Sequence, residues 1–231
     1  MNNFLKVAIL TAAAVTAFTA NPSVAGSTPL LNTAEYRTDN LDALPQWQKA
    51  MTKIAAEQKT YAACARNERG CNSQAVKVWQ AMIASQKGAR QIDQIKTVNS
   101  FVNQWRYRDD SQNYGKSDYW ASPVEFFSRS GDCEDYAIAK YVTLRQMGFS
   151  ADQLRLVVVK ELKRGIAHAV LAAYVDGDVF ILDNLSSKVR PQAHVTEYTP
   201  YYSVNEQARW AHAANKAPAK VASAAGLFSK S

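Results

Sequence analysis

The segment Ser130–Tyr141, SGDCEDYAIAKY, sets one cysteine among three acids: Asp132 precedes Cys133, and Glu134 and Asp135 follow it. A cysteine attacks only as the thiolate, and neighbouring carboxylates disfavour that anion. Asp132 is a good N-cap residue, so Cys133 is expected to be the first residue of a helix running to Met147 and stopped by Gly148. There, free backbone amides and the helix dipole favour negative charge, and the amides could hold an oxyanion. Two influences oppose each other at one sulfur. A cation among the acids would resolve the conflict, and calcium is the natural ion for hard carboxylate ligands. The plainer alternative is that Asp132 caps the helix while Glu134 and Asp135 complement its dipole. Spacing alone leaves both open.

Beyond this helix the hydrophobic period changes. LRLVVVKEL (154–162), IAHAVLAAYV (166–175) and DVFILDNL (178–185) read as strands, with Asp176-Gly177 a hairpin turn between the last two. A two-residue turn sets Val175 opposite Asp178 and Val170 opposite Asp183. His168 and Asp183 then become diagonal neighbours on one face, about 7–8 Å apart between backbones. A carboxylate there can bind one ring nitrogen, fix the tautomer and leave the other as a base. Cys133, His168 and Asp183 thus form a candidate nucleophile, base and orienting acid. Each has a bland alternative: a small buried hydrophobe, a satisfied core histidine, and turn chemistry. The shared face of the histidine and the acid favours the chemical reading.

Upstream, Pro45 opens an amphipathic pattern to about Cys64, and further helical stripes cover Ser73 to Gln86 and Ala89 to Trp105. These stripes are read as core, as is Trp120, which could also border the oxyanion region. Pro123 begins a short helix after an aromatic loop. Helices first and an antiparallel sheet afterwards make an α+β domain, assigned to residues 26–211.

The first 25 residues differ from the rest. Lys6 leads into VAILTAAAVTAF, too short to span a bilayer, and Ser23-Val24-Ala25 fits a small-x-small cleavage pattern. A secretory signal peptide cleaved after Ala25 is expected, hence an exported, soluble protein. Removing it subtracts one basic residue from a formal net charge of +7. The basic excess is mild, partly in an Ala, Lys and Ser-rich tail assigned to residues 212–231 and expected to be flexible. Basic clusters interleaved with aromatics are absent, which argues against nucleic acid. In an oxidising compartment, Cys64 and Cys71, bracketing a short polar loop, read as a disulfide. Cys133 is left unpaired.

YWASPVEFFSRSGDCEDYAIAKY, HAVLAAY, ILDN and YTPYYSVNE together resemble the bacterial transglutaminase-like cysteine proteinases, which include periplasmic adhesin-releasing proteases of the LapG type. The resemblance runs from about Trp47 to Trp210. It implies a papain-like or transglutaminase-like fold with a Cys-His-Asp triad at Cys133, His168 and Asp183. It also implies a calcium site beside the cysteine, carried onto Asp132 and Glu134 and, less directly, Asp135. The implied substrate is a large surface adhesin, cut near its N-terminal retention region to control attachment or biofilm. The implied partner is an inner-membrane cyclic di-GMP receptor that sequesters the protease through a periplasmic domain. Two other classes share the motif: a transglutaminase that passes the acyl group to an amine, and a calcium-dependent binding module with an inactive triad.

Overall fold

The computed structural model describes residues 28–214. The expected signal peptide, 1–25, lies outside them, as does the expected tail beyond 214. Strand β1 (Thr33–Thr38) comes before every α-helix. It pairs antiparallel with the last strand, Thr33 opposite Ala214 and Thr38 opposite Arg209. Neither partner is recognisable alone, because the pairing spans almost the whole domain.

Pro45 stands at the first position of α1 (Pro45–Ala56), where its missing N–H costs nothing. The single helix expected to Cys64 is broken at Glu57, after which α2 runs Gln58–Ala65. Glu57 accepts from the Tyr61 hydroxyl at 2.6 Å and from the Ser122 hydroxyl at 2.5 Å, which ties the break to a distant loop. A Cys64–Cys71 disulfide closes the turn that follows. Ser73 caps α3 (Gln74–Ser85) by accepting from the Val76 N–H at 3.3 Å. Next come α4 (Gln91–Val102), shorter at both ends than the sequence suggests, and the single turn α5 (Asp110–Asn113). Ser122 and Glu125 form a capping box at the start of α6 (Pro123–Arg129). Helix α7 (Cys133–Gln146) follows, with every residue from Asp135 to Thr143 buried.

The sheet contains β2 (Leu154–Glu161), β3 (Ile166–Val175), β4 (Asp178–Leu182), β5 (Arg190–Pro191), β6 (Tyr198–Val204) and β7 (Arg209–Ala214) besides β1. Its order is β1-β7-β6-β2-β3-β4-β5, and all its pairings are antiparallel. Residues 212–214 therefore belong to a strand, which moves the end of the domain past the boundary drawn at residue 211. The centres of β2 and β3, residues 156–159 and 169–173, read as apolar runs because both faces are covered. Leu154, Leu156 and Leu171 meet the helices in the main core with Trp47, Trp79 and Tyr141. Val157, Val159 and Val170 join a smaller cluster on the other face with Leu30 and Val195.

The β3–β4 hairpin has the register expected from its turn, Val175 opposite Asp178 and Leu171 opposite Leu182. Asp176 and Gly177 both have positive φ, 52° and 85°, as a type I′ turn demands. Helix α7 packs across β2 and β3 and is flanked by α4 and α6. That packing brings the start of α7 to the beginning of β3.

Candidate active site

Cys133 is the first residue of α7, with Asp132 at the cap. The turn before it is fixed by Asp135, which is completely buried. Its carboxylate accepts from the Ala121 N–H at 2.6 Å and from the Asp132 N–H at 3.2 Å. A Cβ on Gly131 would stand 2.0 Å from the same carboxylate, so only glycine fits there. Asp135 is thus committed to backbone amides.

The Cys133 thiol donates to Glu134 at 3.1 Å. Burial pushes the thiol pKa well up, the charges of Glu134 and Asp132 push it further, and the Ala169 N–H pulls weakly the other way. The conflict read from the sequence is therefore present in the structure. Ala169 immediately follows His168, so the strand carrying the histidine passes beside the sulfur.

His168 and Asp183 are brought together as the register requires. His168 Nε2 lies 2.9 Å from Asp183 Oδ1, and both residues are buried. The Leu185 N–H also donates to Oδ1 at 2.9 Å, and the Tyr198 hydroxyl donates to Oδ2 at 2.6 Å. Burial opposes the Asp183 charge, but the bonds from His168, Tyr198 and Leu185 outweigh it and hold the pKa below the usual carboxylate value. The side chains of Asn99 on α4 and Asn103 at its C-terminal cap brace the loop behind it. Asn103 donates to the Asp183 carbonyl at 2.8 Å, and both donate to the Ser186 carbonyl. Tyr198 and these asparagines were not singled out by sequence reasoning. The asparagines lie in a helix read as core, and Tyr198 lies in a strand that Pro200 hides.

Cys133, Glu134 and His168 open on one cleft of about 530 Å³, bordered also by Trp47, Trp120 and Tyr202. Beneath its acidic wall, one oxygen each from Asp110, Asp132 and Glu134 lie within 4.8 Å of one another. Asp110 stands more than twenty residues before Asp132 and was not among the expected ligands; the adjacent acids Asp109-Asp110 were its only signal. Its Oδ2 accepts from the Tyr119 N–H, while Oδ1 is buried without a partner. Asp132 Oδ1 is likewise buried and unpartnered. Burial first, then the charge of Glu134, drives the Asp132 pKa far above the carboxylate range. An all-oxygen set with two orphaned acceptors has the chemistry of a hard-cation site, and Asp135 is not part of it.

A family model for the bacterial transglutaminase-like cysteine proteinases matches residues 51–217. The chain belongs to that family. Its fold is similar to that of Legionella pneumophila LapG in its calcium-bound structure, at 36% identity and a TM-score of 0.58. That match covers 66% of this chain and 86% of LapG. An EGTA-treated LapG structure matches at the same identity and TM-score, covering 84% of that chain. A comparison with curated proteins finds no match. This bacterial transglutaminase-like cysteine proteinase thus has helices packed on a seven-stranded antiparallel sheet, and its substrate is a protein.

Proposed function

We propose that the chain is a calcium-dependent periplasmic cysteine endopeptidase. Its substrate would be a large adhesin, or another surface or secreted protein, whose cleavage controls attachment or biofilm. The catalytic reading rests chiefly on one observation: Cys133 and His168 border one cleft while Asp183 holds the far nitrogen of the imidazole.

With Nε2–H donated to Asp183, His168 Nδ1 carries the free lone pair and takes the thiol proton of Cys133. The sulfur attacks the carbonyl carbon of the scissile peptide, and the backbone amides at the start of α7 hold the oxyanion. His168 then protonates the leaving amine as the C–N bond breaks, leaving a thioester. Water gives a proton to His168, attacks the thioester carbon and releases the acid, restoring the thiol. The family's proteinase character favours water over an amine as the acceptor.

Asp110, Asp132 and Glu134 would hold the calcium. Bound there, the ion would neutralise the charge that opposes the thiolate and fix the turn presenting Cys133. The calcium-bound structure of the similar LapG supports this reading.

Export by a signal peptide over residues 1–25 accords with the Cys64–Cys71 disulfide, which needs an oxidising compartment. The segment after the last strand is proposed as a flexible basic tail. Sequestration by an inner-membrane cyclic di-GMP receptor is proposed from the resemblance to LapG-type proteases.

The test is incubation of the calcium-loaded enzyme with the N-terminal regions of large adhesins from the same cell, followed by mass spectrometry of the products. One defined cut that a chelator suppresses is expected. Intact adhesin beside efficient cleavage of some other exported protein would remove the adhesin assignment.

A further inference from the structure

The cleft at Cys133 does not end at α1. A second hollow, of about 490 Å³, shares Pro45, Gln46 and Trp120 with it and continues past Lys49 and Lys53. Its floor is mainly apolar, formed by Pro45 and the rings of Tyr119 and Trp120, and its rim is cationic.

The cations differ in how far they are committed. Lys53 donates to Glu125 at 2.7 Å and to the Trp120 carbonyl at 3.1 Å, and sits 4.1 Å from the centre of the Tyr119 ring. Lys116 lies 4.3 Å from the centre of the same ring and is exposed. Lys49, one helical turn before Lys53, is exposed and has no ion pair or hydrogen bond among the described residues. Of the two acids nearby, Glu125 alone has a cationic partner. Glu125 pairs with Lys53, and Asp118 accepts from the Trp120 indole at 2.9 Å and the Gln46 amide at 3.2 Å. Lys49 therefore stands without an ion pair among the described residues, beside an apolar floor that opens into the reaction cleft.

We infer that this hollow is a subsite for an acidic residue of the protein substrate, placed to one side of the bond that is cut. A glutamate suits it: the methylene stem lies against the apolar floor and the carboxylate faces Lys49. The mild basic excess that remains after removal of the proposed signal peptide favours the same approach at longer range. This inference rests on the proposed endopeptidase activity and adds to it a substrate preference.

The experiment digests a mixed-sequence peptide library with the calcium-loaded protein and reads the cut sites by mass spectrometry. Acidic residues should be enriched at one fixed position on one side of the cut. The enrichment should vanish in Lys49→Glu and persist in Lys49→Arg. For a peptide with glutamate at that position, kcat/KM should fall about fivefold in Lys49→Glu, mainly through KM, the scale of one solvent-exposed charge contact. Added salt should shrink the difference. Cutting with no acidic enrichment, or enrichment that survives Lys49→Glu, overturns the subsite and leaves the endopeptidase reading standing. Absence of any Cys133-dependent cutting overturns both.

Discussion

His168 Nε2 and Asp183 Oδ1 lie 2.9 Å apart across the β3–β4 hairpin, and the Tyr198 hydroxyl binds the other Asp183 oxygen at 2.6 Å. Tyr198 thereby holds the carboxylate that, in the proposed mechanism, orients the base. Tyr198→Phe should cost about 1 kcal/mol of stability and a severalfold loss of kcat, while Asp183→Asn should cost more activity. Stopped-flow kinetics and chemical denaturation check both. The Asp183 pKa is lowered on folding, so its contribution to stability is present above the ordinary value of 3.8 and is lost as pH falls through the depressed folded value. Acid unfolding of Tyr198→Phe should begin at higher pH than in wild type. Identical acid midpoints would contradict this.

At the acidic cluster, burial and mutual repulsion favour protonated carboxyls on Asp110 and Asp132. Calcium binding should then release protons and weaken as pH falls. Calorimetry in two buffers of different ionisation enthalpy measures the release directly. Bound calcium should also raise Tm, and Asp110→Asn and Glu134→Ala should each reduce that rise. A binding heat that is the same in both buffers would count against the linkage.

The Cys133 thiol is opposed first by burial and then by Glu134. With calcium chelated from both proteins, Glu134→Gln removes the nearest negative charge and should lower the thiol pKa. Iodoacetamide should therefore alkylate Glu134→Gln faster than wild type at pH 8. Equal rates would show that Glu134 does not govern the sulfur.

Lys140 on α7 is buried, and desolvation lowers its pKa to about 7, with Asp183 opposing the shift. Between that value and its ordinary 10.5, the unfolded chain binds a proton that the folded chain does not. Stability should accordingly rise with pH across that window. Lys140→Met should remove the rise, as denaturation measured at several pH values will reveal. A rise that persists in Lys140→Met would assign it to another group.

The disulfide closes a short loop between α2 and α3. Replacing both Cys64 and Cys71 with alanine should cost about 2 kcal/mol by loop-closure entropy, with little change in peptide cleavage. Thiol titration of unfolded, unreduced wild-type protein should find one reactive group. Three would refute the bond.

The parts of this molecule legible in its sequence are those with local causes. Asp176-Gly177 dictates its own turn, and the turn dictates the register that joins His168 to Asp183. Asp132 dictates where α7 begins. What the sequence hides is long-range: β1 finds β7 across the domain, and Pro200 masks β6 at the point where its register with β2 shifts. Asp110 reaches the cluster through a loop rather than through spacing, and Asp135 is taken from it by two backbone amides. No periodicity announces either fact.

The proposed mechanism depends above all on Cys133 as the nucleophile. The deciding measurement is cleavage of a confirmed protein substrate by Cys133→Ser protein whose Tm and calcium affinity match wild type. We predict no product after prolonged incubation, because the serine hydroxyl in this acidic, half-buried setting is a far weaker nucleophile than the thiolate. Product at the wild-type rate would contradict the mechanism.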